Sequence, residues 1–191
     1  FDESRNRDFL KAIEEDLPRA SELLILVTSP PVFVMSDELL ERILANSGIG
    51  EREGRLVLAD VRRERALIES FLAHGSVRVN MATLSRTAFE ERPVTLVSPS
   101  IRCKKPLSYA YSDYTRHIAE LCACQERFDS LSVASVSHAP YRNLHVVVCD
   151  DAWAAFIKGR SPVTHFLLCH PHLVQATRAL FEGSCSSLPR S

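Results

Sequence analysis

Asn143, His145 and Asp150 are the residues of this chain whose types and spacing suit chemistry. Asn143 and His145 stand two apart at the start of the apolar run Leu144–Cys149, and Asp150 closes it. Two-residue spacing in a strand puts both side chains on one face. An amide, an imidazole and a carboxylate can hydrogen-bond a small polar ligand without attacking it. His138, at the end of the preceding apolar stretch, and Arg78, on an earlier strand with Asn80, complete the candidate ligand-binding set.

Two further groups contain residues with ligating or anion-binding chemistry. Arg102, Lys104 and Lys105 place three basic residues within four positions of a loop, which suits either a phosphate or plain solvation. Cys122-Ala123-Cys124 and Cys169-His170-Pro171-His172 carry metal-ligand residue types. On a helix, however, two thiols two residues apart point about 200° from one another, which is poor chelation geometry. Pro171 also suits the first turn of a helix rather than a metal loop. The remaining cysteines, Cys103, Cys149 and Cys185, are dispersed. A chain of this length and apolar content needs no disulfide framework, so the expectation is reduced thiols in a cytoplasmic protein, with Cys149 and Cys169 buried.

The elements that must position these residues follow from hydrophobic periodicity. Leu144–Cys149 is apolar on both faces and reads as a strand buried in the middle of a sheet, with 152–157 as its return strand. Upstream, 4–17 reads as an amphipathic helix, 23–28 as a buried strand, and 36–46 as a helix with Ser36 as N-cap. A strand is expected over 55–60, a helix over 62–74 closed by Gly75 in a left-handed cap, and a strand over 76–81. Strands at 93–97, 133–138 and 163–168, a long helix over 113–131 and a final helix over 172–182 complete the pattern. The alternation predicts an α/β fold with a mixed, mainly parallel sheet flanked by helices. One domain is expected over 1–183, followed by a disordered tail over 184–191.

Composition bounds the function classes. The 191 residues are 46% hydrophobic and 25% charged, ordinary for a globular domain, and the net charge of −1 supplies no bulk attraction to nucleic acid or membrane. No apolar run approaches the roughly 18 residues that span a bilayer. The chain opens at Phe1 without an initiator Met, and the expectation is a fragment of a longer protein.

The spacing Asn143-Leu144-His145, four residues, Asp150 resembles the H-x-K-x(4)-D strand motif of the phospholipase D superfamily. Asn143 stands at the nucleophilic His, His145 at the phosphate-binding Lys, and Asp150 matches. The order of elements is similar to one half of such a domain. The opening helix with LLILVT, the segments EREGRLVLAD and HGSVRVNM, and the closing VTHFLLCHPHLVQATRALFEG carry the likeness, and 82–131 lies outside it. The resemblance implies that two chains pair their half-sites as a homodimer. An amide at Asn143 cannot form a phospho-enzyme intermediate, so the site is expected to be catalytically dead and the fold kept for binding. Degenerate domains of this kind serve as ligand-sensing regions of helix-turn-helix transcription regulators. That implies DNA contact only through a domain missing from this chain, no cofactor and no membrane. The rival expectations are a phosphodiesterase-type enzyme using His138, His145 and Asp150 in an altered arrangement, a Cys/His metal or redox sensor, and a plain interaction or dimerisation module.

Overall fold

The computed structural model describes residues 11–98, 101, 105–136, 144–158 and 164–185. His138 and Asn143 lie outside the described residues, as do Arg102, Cys103 and Lys104. The fold is α/β, with a six-stranded mixed sheet flanked by helices. Its strands are β1 (Glu22–Val27), β2 (Ser76–Met81), β5 (Leu131–Ser135), β6 (Leu144–Cys149), β7 (Trp153–Lys158) and β8 (Thr164–Leu168), in the spatial order β5-β2-β1-β6-β7-β8. β1, β2 and β5 run parallel; β6, β7 and β8 add on antiparallel. A separate two-stranded ladder pairs β3 (Thr95–Leu96) with β4 (Leu107–Ser108). The segment expected as a strand over 93–97 is therefore only a short rung outside the main sheet.

The parallel half requires crossovers, and helices supply them. Residues 11–16 form helix α1, which runs into a 3-10 turn at Leu17–Arg19. Between β1 and β2 lie α2 (Asp37–Asn46) and α3 (Glu51–Leu72). Ser36 caps α2 as its sequence suggests, its side chain accepting from the Leu39 N–H. Between β2 and β5 lie α4 (Arg86–Glu91) and α5 (Tyr111–Arg127), and α6 (Pro171–Cys185) follows β8. Ser184 and Cys185 thus belong to α6 rather than to a tail.

The segment 55–60 is helical, against the sequence expectation of a strand. Val57, Asp60, Val61, Glu64, Ile68, Phe71 and Leu72 are the buried residues of one continuous 22-residue helix, on the stripe that spacings of three and four impose. Leu56, inside the expected strand, is 58% exposed. Local ion pairing of Glu51 with Arg55 favours the helix as well. Gly54 sits where α3 comes close to Leu44 of α2. Gly75 does not adopt the left-handed cap; that conformation belongs to Gly48 and to Asp150. Gly75 is small for another reason: a Cβ there would run into the buried Phe71 ring.

Each sheet face carries its own core. Leu23, Ile25, Val27, Val77, Val79, Val147, Cys149 and Trp153 face α1, α3 and α5. Leu24, Leu26, Val146, Val148 and Ala154 face Val174 and Phe181 of α6. β6 is fourth in the six-strand order and buried on both faces, as its unbroken apolar run requires. Each fully buried valine there contributes about 1.5–3 kcal/mol relative to exposure. A third core joins α2, α3 and α5 to the β3–β4 ladder.

Candidate functional site

Strand order reverses at β1. From β1 the chain moves to β2 and β5 on one side, then returns to place β6 on the other. In open α/β sheets such a reversal opens a crevice at the carboxyl ends of the parallel strands. β6 runs antiparallel to β1, with Leu26 opposite Val146, so His145 lies beside the carboxyl end of β1. The loop leaving β1 there is held by α5. Tyr114 donates to the Thr28 carbonyl and accepts from the Leu84 N–H. His117 lies 3.1 Å from the Pro31 carbonyl through Nε2 and 2.8 Å from the Tyr109 hydroxyl through Nδ1. A carbonyl can only accept, so Nε2 carries the proton and Nδ1 accepts from the phenol. Burial raises the Tyr109 phenol well above its ordinary range and drives the His117 imidazole down to about 3.

Polar groups are buried together near this reversal. His145, 3% exposed, donates from Nδ1 to the Val97 carbonyl at 3.1 Å. Next along the chain, Ser98 donates to Glu64 Oε2 at 2.5 Å, and both side chains are buried. Thr28 and Ser29, which follow β1, are buried too. His145 and Glu64 border a cavity of about 30 Å³, otherwise lined by apolar side chains including Ile25, Phe33 and Trp153. That volume suits one water and is an order of magnitude below a metabolite pocket. What the structure holds at this reversal is a buried polar layer fixing the Val97–Ser98 segment, with a water-sized space beside it.

The structure does not gather the expected set. His145 and Asp150 lie at opposite ends of β6, roughly 17 Å apart along the strand. Asp150 forms the tight turn into β7 with φ 41° and accepts from Ser21 N (2.8 Å), Ser21 Oγ (3.1 Å) and Glu22 N (2.8 Å). Its carboxylate ties the start of β1 to the β6–β7 turn. Arg78 faces α6, across the sheet from His145. It pairs with Glu22 at 3.2 Å and stacks over Phe181. Asn143 and His138 fall outside the described residues.

The thiols divide by burial. Cys124 and Cys149 are buried, and burial pushes Cys149 up to about 12. Cys122 and Cys169 are exposed, which corrects the expectation that Cys169 is buried in a strand: it lies in the β8–α6 link. Cys122 and Cys124 thus point to different surroundings, as helical geometry demands. Among the described residues, no three His, Cys, Asp or Glu side chains come together as a metal site. No helix among them is long and apolar enough to cross a membrane.

Glu64, Ser98, Tyr109 and His117 were missed in the sequence. Glu64 carried a signal: it falls in the buried register of Val57, Val61 and Ile68, where a carboxylate is costly without a partner. Reading 55–60 as a strand hid that register. Set against known proteins, the chain matches no family model, no curated protein and no solved structure, so its own fold and side-chain geometry are what speak to function.

Proposed function

We propose that this chain is a non-catalytic regulatory domain, the ligand-sensing part of a transcription regulator, taking a small polar ligand at the crevice between β1 and β6. The observation that carries the reading is the buried polar layer there: Glu64 on Ser98, His145 on the Val97 carbonyl, and the Thr28–Ser29 turn. Burying such groups costs free energy unless each is held, and an apolar filling would be cheaper. Retaining them at a strand reversal serves recognition. On this reading His145 is a positioning residue, which fixes the backbone of Val97–Ser98 where a ligand would meet it. Binding without turnover agrees with Asn143 at the nucleophile position of the phospholipase D-like pattern and with the use of Asp150 to tie the β6–β7 turn to the start of β1. DNA contact would belong to a separate domain.

The test is a thermal-shift screen of nucleotides, sugar phosphates, amino acids and dicarboxylates, followed by calorimetry on His145→Ala. At least one class should raise the melting temperature of wild type. The lost hydrogen bond, about 0.5–1.5 kcal/mol, should weaken that ligand roughly 2- to 10-fold. A lower melting temperature with unchanged affinity would make His145 a plain core residue. Hydrolysis of bis(p-nitrophenyl) phosphate by wild type, lost in His145→Ala, would replace the sensor by an enzyme.

A further inference from the structure

Cys169, His170, Pro171 and His172 lead from β8 into α6, and all four are exposed. The register Leu168–Ala154–Val148 puts them at the Cys149 end of the sheet, the opposite end from His145. Pro171 opens α6; its ring fixes φ near −65° and confines His170 to extended backbone. The His170 carbonyl accepts from the Leu173 and Val174 N–H groups, which pins that residue from the other side. The two imidazoles thus hang from a short, constrained piece of backbone. Their ring centres are 5.5 Å apart, with planes inclined by 40°. Neither ring hydrogen-bonds another protein group among the described residues. The buried histidines behave otherwise: His117 and His145 each spend a ring nitrogen on a backbone carbonyl.

A neutral imidazole facing water keeps a lone pair that a metal ion can take. A Zn–N bond is about 2.0–2.1 Å and the ring centre lies about 1.1 Å behind its nitrogen, so each ring centre would stand about 3.2 Å from a bound ion. Two such centres 5.5 Å apart enclose an angle of about 120° at the ion, close to the tetrahedral value that Zn²⁺ prefers. Rotation about the side-chain bonds aims the nitrogens without moving the Pro171 backbone. Among the described residues no third His, Cys, Asp or Glu side chain joins the pair, so water completes the coordination. The amino terminus of α6 carries partial positive charge and disfavours a cation. The ion is therefore held by coordination bonds rather than by field. That selects transition metals that seek imidazole over Ca²⁺ and Mg²⁺, which need oxygen ligands.

We propose that His170 and His172 form an open, exchangeable site for a divalent transition-metal ion of the zinc and nickel class. Two protein ligands and a water-filled remainder make the site weaker than a closed structural zinc site and leave it able to accept a further ligand from solution. A bound ion bridges the residue before Pro171 to the first turn of α6, and so clamps the helix start onto the β8 link. Cys169, although adjacent in the chain, is not one of the ligands. The site stands at the far end of the sheet from His145, so it does not rest on the reading of the β1–β6 crevice.

Calorimetric titration of the whole chain with Zn²⁺, Ni²⁺ and Mg²⁺, in a non-chelating buffer with the thiols reduced, tests this. The variants are His170→Ala, His172→Ala, Cys169→Ser and, as a control, His74→Ala, which removes the exposed imidazole that follows α3. Each is checked for native circular dichroism, and all four side chains are exposed, so the fold should survive. Wild type should bind one Zn²⁺ or Ni²⁺ with a dissociation constant in the micromolar range, and Mg²⁺ should give no heat. His170→Ala and His172→Ala should each raise that constant tenfold or more, whereas His74→Ala and Cys169→Ser should leave it within twofold. The geometry has its own readout: the ring-proton NMR signals of His170 and His172 should shift together as Zn²⁺ is added. No binding at a few hundred micromolar Zn²⁺, binding retained when both histidines are replaced, or affinity lost in Cys169→Ser would each overturn the assignment.

Discussion

His117 should make the protein markedly acid-sensitive, and the size of the effect follows from its surroundings. The imidazole is fully buried, donates from Nε2 to the Pro31 carbonyl and accepts from Tyr109. Burial, opposed in part by the Pro31 hydrogen bond, holds its pKa down to about 3, against about 6.5 in the unfolded chain. Between these values the unfolded state binds one proton that the folded state does not. Stability therefore falls as pH drops through 6.5, by about 1.4 kcal/mol per pH unit, and the loss levels off near pH 3. From pH 7 to pH 5 this one residue costs about 2 kcal/mol, equivalent to roughly 4–8 °C for a chain of this size. His117→Gln keeps a donor and an acceptor but cannot titrate. Urea unfolding at pH 7, 6 and 5 should show wild type losing about 2 kcal/mol more than the variant over that range, because all other titrating groups cancel in the difference. The His117 ring protons should also show no NMR titration between pH 8 and 4.5. Parallel pH slopes, or a ring titrating near 6.5, would refute the argument.

Asp150→Ala should cost about 2–3 kcal/mol in urea unfolding, from the lost charge-assisted bonds to Ser21 and Glu22 and the strain of alanine at φ 41°. Asp150→Asn keeps the turn conformation but turns an NH2 toward one of the two backbone N–H donors, so it should cost about 1–2 kcal/mol, and a loss as large as that of alanine would show that the turn conformation contributes little. Gly75→Ala should destabilise by about 1–3 kcal/mol because the new methyl meets the buried Phe71 ring. Adding Phe71→Leu should recover part of that loss, and strict additivity of the two changes would show that the contact is not the cause.

The parts of this protein legible in its sequence are those decided by neighbours along the chain. The run Leu144–Cys149 is apolar on both faces, and a strand of that kind can satisfy itself only inside a sheet, so its central place was readable in advance. Ser36 ahead of α2 was equally local, since a cap and its N–H partner lie three residues apart. Short range also misled: the apolar run Leu56–Ala59 between Arg55 and Asp60 passes for a short buried strand, and only the longer register from Val57 to Phe71 shows the helix. The candidate site was decided by tertiary structure. Glu64 on α3 meets Ser98 across 34 residues, and His145 meets Val97 across 48 once the sheet order returns β6 to the far side of β1. No local spacing encodes those encounters. Asp150 illustrates the same point in reverse: its position at the end of a buried strand was readable, yet its carboxylate works on Ser21 and Glu22, which antiparallel pairing of β6 with β1 brings to it from the other end of the chain.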